Sequence, residues 1–146
     1  CLIVGSGPLT DALQTQAQAL GIAQQVIFTG FQADALAFIQ ASDCVVSCSA
    51  GEGLPRVLLE AMLCRKAIVA SDVSGSRELI ANPHLGCLYP FADIPALTQT
   101  LQTVASDANL RQRLGEAAHA HVVRHYPLQR YIDDVFTCLE NACGLC

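Results

Sequence analysis

Charge is scarce in this sequence, and no long apolar run makes up for it. Only 14% of the 146 residues are charged while 52% are apolar. That balance would suit a bilayer, yet nowhere do about 20 apolar residues follow one another as a spanning helix requires. The composition is that of a soluble chain with a large core, and at this length a single domain buries about two thirds of its unfolded surface. Basic residues are too few to form a patch: 8 Lys and Arg against 13 Asp and Glu leave a net charge of −5. DNA, RNA and an anionic bilayer surface find no electrostatic footprint there. Internal repeats and low-complexity linkers are also missing. No initiator methionine or basic leader precedes Cys1-Leu2-Ile3-Val4, so the natural chain is expected to begin further upstream.

Cysteine is plentiful by contrast, at 8 residues. Cys44, Cys48, Cys64 and Cys87 stand within apolar runs, where Cys commonly serves as a small buried hydrophobe, so a reducing cytosol is expected rather than a disulfide framework. The tail adds Cys138, Cys143 and Cys146, the last two in C-x-x-C spacing, and His121 and His125 form an i, i+4 pair. A zinc site needs about four ligands in one place. These residues read as free thiols and helix-surface histidines.

Short β-branched runs alternate with longer helical stretches, the pattern of βαβ units and a parallel sheet. Strands are expected at Cys1–Val4, Val26–Thr29, Cys44–Ser47, Ala67–Ala70 and Cys87–Tyr89. Helices are expected at Leu9–Leu20, with Gly21 at its left-handed C′ position, and at Asp34–Ala41, Pro55–Arg65 and Ser76–Ala81. After Pro90 the pattern is helical alone, as Pro95–Ser106, Asn109–His125 and Leu128–Cys143. Uniformly apolar strands imply helices on both sheet faces, the Rossmann-like doubly wound arrangement, in which ligands bind at the carboxyl ends of strands. Three loops lie there: Gly5-Ser6-Gly7-Pro8, Ser49–Leu54 and Asp72–Gly75.

The first of these begins like the dinucleotide fingerprint G-x-G-x-x-G, but Thr10 holds the last glycine's place. No acid stands about 20 residues on to hold an adenine ribose, since Gln24 and Gln25 occupy that region; a nicotinamide dehydrogenase is disfavoured. A plain strand-to-helix turn and a ligand-binding loop both remain open for Gly5 and Gly7.

The second loop carries more chemistry. Pro55 suits a first helical position, after which the N–H groups of Arg56 and Val57 lack intrahelical acceptors and, with the macrodipole, form an anion site. Gly51 and Gly53 allow close approach to the backbone, Arg56 can add a positive charge, and a diphosphate would fit without a metal. Glu60 falls about 7.5 Å further along the axis, at about 1.5 Å per residue, with its Cβ tilted back toward the helix start. Glu52 precedes the helix, so the two acids bracket the anion site. Glu60's neighbours Val57, Leu58, Leu59, Ala61, Met62, Leu63 and Cys64 are apolar, and a buried carboxylate needs donors. Sugar hydroxyls, Arg56 at i−4 or a strip of solvent could supply them. Gly75 and Glu78 are lesser candidates for the cleft; Gly75 before a helix is more often a backbone device, and Glu78 also suits a helix's first turn.

The stretch Glu52-Gly-Leu-Pro-Arg-Val-Leu-Leu-Glu60-Ala-Met resembles the signature of the group 1 retaining glycosyltransferases of GT-B fold, in the nucleotide-sugar half of their two-domain body. The likeness extends through Val4-Gly-Ser-Gly-Pro8, Val26-Ile-Phe-Thr-Gly30, Ala41-Ser-Asp-Cys-Val-Val46, Ala67-Ile-Val-Ala-Ser71 and Gly75-Ser-Arg-Glu-Leu-Ile80. The resemblance implies that Glu52 contacts the donor sugar, that Glu60 binds the ribose diol, and that Gly53, Leu54, Pro55, Arg56 and Val57 hold the diphosphate. It implies a nucleobase near Gly30 and Phe31, and a cleft lined by Gly5 and Gly7. No cofactor or metal is implied, and no Asp-x-Asp motif occurs. The implied donor is a UDP- or GDP-linked hexose or N-acetylhexosamine, and the acceptor a glycan or lipid-linked molecule. The implied setting is cytoplasmic polysaccharide biosynthesis, with peripheral membrane association of the full protein.

Family members also carry an N-terminal acceptor domain, and their donor domain opens with a strand and basic residues that steady the diphosphate; neither is present here. On this resemblance residues 1–146 form one partial donor domain, inactive alone. If the missing strand is central, the first and third strands present should flank its place. Two other readings compete: an epimerase of the same fold acting on a nucleotide sugar, and a non-catalytic binding or scaffolding module.

Overall fold

The computed structural model describes residues 1–127 together with 137 and 138. The expected helix Leu128–Cys143 and the C-x-x-C of Cys143 and Cys146 therefore fall outside the described residues, Thr137 and Cys138 excepted. The elements run β1 (Leu2–Val4), α1 (Thr10–Ala19), β2 (Ile27–Gly30), α2 (Ala35–Ala41), β3 (Cys44–Ser47), α3 (Arg56–Leu63), β4 (Ala67–Ser71), α4 (Ser74–Leu79), β5 (Cys87–Tyr89), α5 (Ile94–Ser106) and α6 (Ala108–His125). This is the α/β alternation that the sequence pattern implies, and every strand pairing is parallel.

The chain divides into two compact units, Cys1–Ala41 and Ser42–Cys146. In the first, β1 pairs with β2, Leu2 opposite Ile27 and Ile3 opposite Phe28. Helix α1 ends as expected: Gly21 has φ 69°, and the Gly21 and Ile22 N–H groups return to the carbonyls of Gln18 and Ala17 at 2.9 and 3.0 Å, closing the last turn.

In the second unit the sheet order is β3-β4-β5. All of β4 is buried. Its Ala67 and Val69 share one face and a cluster with Tyr89, Val104 and Leu114, while Ile68 and Ala70 alternate to the other face, also buried. Helix α3 packs on β4 and α6 through Leu58, Ala61 and Met62, all fully buried; burial of a leucine side chain contributes about 1.5–3 kcal/mol. The α3–α6 approach requires glycine, because a Cβ on Gly115 would lie 2.1 Å from the Arg65 carbonyl oxygen.

Several boundaries differ from expectation, each for a backbone reason. Pro55 caps α3 rather than opening it: its ψ of 102° is extended, and its carbonyl takes the first helical bonds from Leu58 and Leu59 at 3.0 and 3.4 Å. The same helix stops at Leu63, not Arg65, because Arg65 turns left-handed with φ 56°. The Arg65 and Lys66 N–H groups then close back on Met62 and Ala61 at 3.1 and 2.9 Å. Helix α4 begins at Ser74, so Gly75 lies inside it and Glu78 lies beyond its first turn. Cys48 is exposed in the loop after β3, not a buried hydrophobe; Cys44, Cys64 and Cys87 are half-buried, and all four are free thiols. Burial pushes the Cys44 and Cys87 thiols up. Helix cover is complete on β4 and partial on β1 and β2, whose Leu2, Val4 and Ile27 stay exposed.

Candidate functional site

Two carboxyl-end loops of the second unit come together. The Ser49–Leu54 loop leaves β3 and the turn after Ser71 leaves β4, and they touch where Gly75 enters α4. There the Gly75 N–H donates to the Glu52 carbonyl at 3.2 Å. A Cβ on Gly75 would stand 2.2 Å from the Gly53 carbonyl oxygen and 2.8 Å from that of Glu52, so only glycine permits the approach. The turn itself is pinned on its other side. The Asp72 N–H donates to the Tyr89 carbonyl at 2.7 Å, and Arg77 donates through Nε to the Asp72 carboxylate, an interaction that holds the guanidinium above its ordinary range.

The start of α3 is an open donor set. No side chain caps it. With the Leu58 and Leu59 N–H groups already on the Pro55 carbonyl, Arg56 and Val57 present the first N–H groups at the positive helix end. Both residues are exposed, as are Glu52, Gly53 and Leu54, whereas Pro55 is buried. The arrangement can receive an anion over a glycine-bearing loop, with Glu52 on the loop side.

Glu60 lies along the helix from that end, its side chain 35% exposed and its Oε1 3.8 Å from an Arg56 guanidinium nitrogen. Two of the three donors expected for it, Arg56 and solvent, are thus in place. Arg56 itself is 88% exposed, so the pair contributes at most about 1 kcal/mol and is easily rearranged. Helix α3 is not covered nearly all round as its sequence suggests. Leu54, Val57 and Leu63 are exposed beside Glu60 and Arg56, because the helix rests on β4 and α6 with one face only.

Gly5, Gly7, Gly30 and Phe31 lie in the first unit. Gly5 (φ 123°) and Gly30 (φ 67°) hold conformations that favour glycine, and the Gly5 N–H donates to the Gly30 carbonyl at 2.8 Å. Phe31 is 78% exposed. Gly7 turns the chain into α1, where Thr10 Oγ1 donates to its carbonyl at 2.8 Å; the residue that spoils the dinucleotide fingerprint serves as a turn lock. On α6, His121 and His125 stack with ring centroids 4.5 Å apart.

Sequence reasoning passed over Ser71 and gave Ser49 no role of its own. Ser49 Oγ donates to Glu52 Oε1 at 2.7 Å, which its three-residue spacing could have suggested. Ser71 Oγ donates to the Ser49 carbonyl at 2.6 Å across 22 residues, which no local pattern reveals.

Residues 1–121 match the family model of glycosyl transferases group 1. The chain is 31% identical over 126 residues to the 2-deoxystreptamine N-acetyl-D-glucosaminyltransferase of Streptomyces fradiae, covering 85% of this chain and 30% of that protein. It is 32% identical over 139 residues to a GDP-mannose-dependent alpha-(1-6)-phosphatidylinositol monomannoside mannosyltransferase of Mycolicibacterium smegmatis, covering 88% and 35%. Among solved structures it superposes on Anabaena HepE in complex with UDP-glucose with a TM-score of 0.89 at 27% identity, covering 96% of this chain and 40% of that one. The chain spans about a third of the length of the curated relatives it matches. With parallel strands, a glycine-bearing loop and an uncapped helix start between two glutamates, and with the family model matched over most of its length, the chain belongs to the group 1 glycosyltransferases of GT-B fold.

Proposed function

We propose that this chain is the donor-binding part of a retaining glycosyltransferase, which moves a sugar from a nucleotide-diphosphate sugar to a glycan or lipid-linked acceptor. The observation that carries the reading is the uncapped start of α3, where the exposed residues Arg56 and Val57 stand between Glu52 and Glu60. The Gly53–Val57 segment takes the diphosphate, Glu60 the ribose diol and Glu52 the sugar. Fixed N–H dipoles stabilise the charge that grows on the departing diphosphate, and binding energy orients the sugar. Glu52 acts as an electrostatic and positioning group at the reacting carbon. No metal is required, because the helix end and Arg56 supply the positive potential.

The relatives support a nucleotide sugar as donor: HepE has been solved with UDP and with UDP-glucose, and the mycolicibacterial relative is GDP-mannose-dependent. Whether a hexose or an N-acetylhexosamine is moved follows from the donor. The acceptor is held by a further domain, so no transfer is expected from residues 1–146 alone. Among the described residues no helix is long and apolar enough to cross a membrane.

Calorimetric titration of UDP, GDP and ADP into the protein tests this reading. One of them should bind, and Glu60→Ala should weaken it at least about tenfold, as expected when hydrogen bonds to a charged group are lost. Unchanged affinity in Glu60→Ala would favour the scaffold reading instead.

A further inference from the structure

The bonds beneath Glu52 give two serines a task, on the reading that Glu52 faces the donor sugar. An exposed glutamate on a glycine-bearing loop keeps most of its rotamer freedom unless something holds it. Glu52 is held at both ends. Its carboxylate accepts from Ser49 Oγ at 2.7 Å, and its carbonyl accepts from the Gly75 N–H at 3.2 Å. Ser49 is fixed in turn from the sheet, because Ser71, fully buried at the end of β4, donates from Oγ to the Ser49 carbonyl at 2.6 Å. The chain of contacts runs from β4, every residue of which is buried, to the acid placed on the sugar side. Each bond in it has a length typical of a well-formed hydrogen bond.

We infer that Ser71, acting through Ser49, is a positioning residue that sets the Glu52 carboxylate for the donor sugar. Neither serine belongs to the diphosphate or ribose contacts, so their loss should be felt in the sugar and not in the nucleotide. That separates positioning from a plain structural tie between β4 and the loop, which would weaken both ligands together. Ser71 is also suited to its place: a hydroxyl buried there needs an acceptor, and the Ser49 carbonyl is the acceptor it has.

The test compares affinities for UDP-glucose and UDP, and for GDP-mannose and GDP, in the wild type and in Ser49→Ala, Ser71→Ala, Ser71→Thr and Glu52→Gln, with thermal melts alongside. Ser49→Ala and Ser71→Ala are expected to lower the ratio of nucleotide-sugar to nucleotide affinity about three- to tenfold, the range of one net hydrogen bond. The nucleotide affinity should stay within about twofold, and Ser71→Thr, which keeps the hydroxyl, should retain the wild-type ratio. If Glu52→Gln lowers the ratio while neither serine variant does, the inference fails and the proposed function stands. Equal weakening of both ligands in Ser71→Ala, with no change of ratio in Ser49→Ala, also overturns it. A ratio unmoved by Glu52→Gln, or a wild type that binds neither pair, removes the donor-site reading and the inference with it.

Discussion

Strand β1 reads Leu-Ile-Val and β4 reads Ala-Ile-Val-Ala-Ser, yet Leu2 and Val4 of the first are 43% and 39% exposed while every residue of the second is buried. The same contrast runs through the two compact units. In Cys1–Ala41 the buried apolar residues are Ala17 and Ile39; the rest of the core, from Leu58 to Val122, belongs to the second unit. Apolar sequence makes a strand, but burial needs cover on both faces, and among the described strands only β4 has a paired strand on each edge and helices packed against it. The loops that bring Glu52 and Gly75 together grow from the well-covered sheet, and rigid support suits a site whose geometry must hold within fractions of an ångström.

The sharpest way to break this contrast is through the second unit's core. Leu58→Ala should destabilise by about 2–5 kcal/mol, the cost of removing a fully buried leucine and leaving a cavity, as read by urea unfolding. Gly115→Ala should cost about 1–3 kcal/mol, since its Cβ would meet the Arg65 carbonyl oxygen at 2.1 Å and backbone can yield only by moving α6. A smaller effect, confined to the second unit, follows from pH. Burial and the neighbouring His125 hold the His121 pKa below its ordinary 6.5, so the folded state binds that proton less readily than the unfolded one. The stability this gives is present above pH 6.5 and is lost as pH falls toward the folded value. His121→Gln should flatten the decline; Cys1–Ala41 contains no histidine, and its β1–β2 amides should exchange at the same protection across that range.

The smallest changes are expected at Ser76 and Ile27. Ser76 Oγ is buried without a hydrogen-bond partner among the described residues, and Ser76→Ala should raise stability by up to about 1 kcal/mol by removing an unsatisfied hydroxyl. Ile27→Ala in β2, at a side chain 57% exposed, should move the unfolding midpoint least, within about 0.5 kcal/mol. A loss at Ile27 as large as that at Leu58 would show that the first unit is as tightly cored as the second.

Much of this architecture could be read from local pattern. The alternation of β-branched runs with helical stretches placed all five strands within about a residue, because strand and helix periods differ so plainly. Glycine-bearing loops at carboxyl ends, and two acids around Pro55, marked the candidate site for the same local reason. Other features were not legible. Pro55 fits a helix by its φ, and only ψ, set by the loop behind it, makes it a cap. Arg65 takes a left-handed turn that residue preference would assign to glycine. Ser71 meets Ser49 only once β3 and β4 are paired, which is tertiary information. The exposure of β1 was hidden for a related reason, since an apolar strand reads alike whether or not something covers it.

On the proposed reading a nucleotide diphosphate sits on the open start of α3. Titrating UDP into isotope-labelled protein and following backbone amide resonances tests it most directly. The largest shifts should fall on Gly53, Leu54, Arg56 and Val57, with the Glu60 side chain responding in step. Saturable binding that leaves those amides unmoved and shifts others would contradict it.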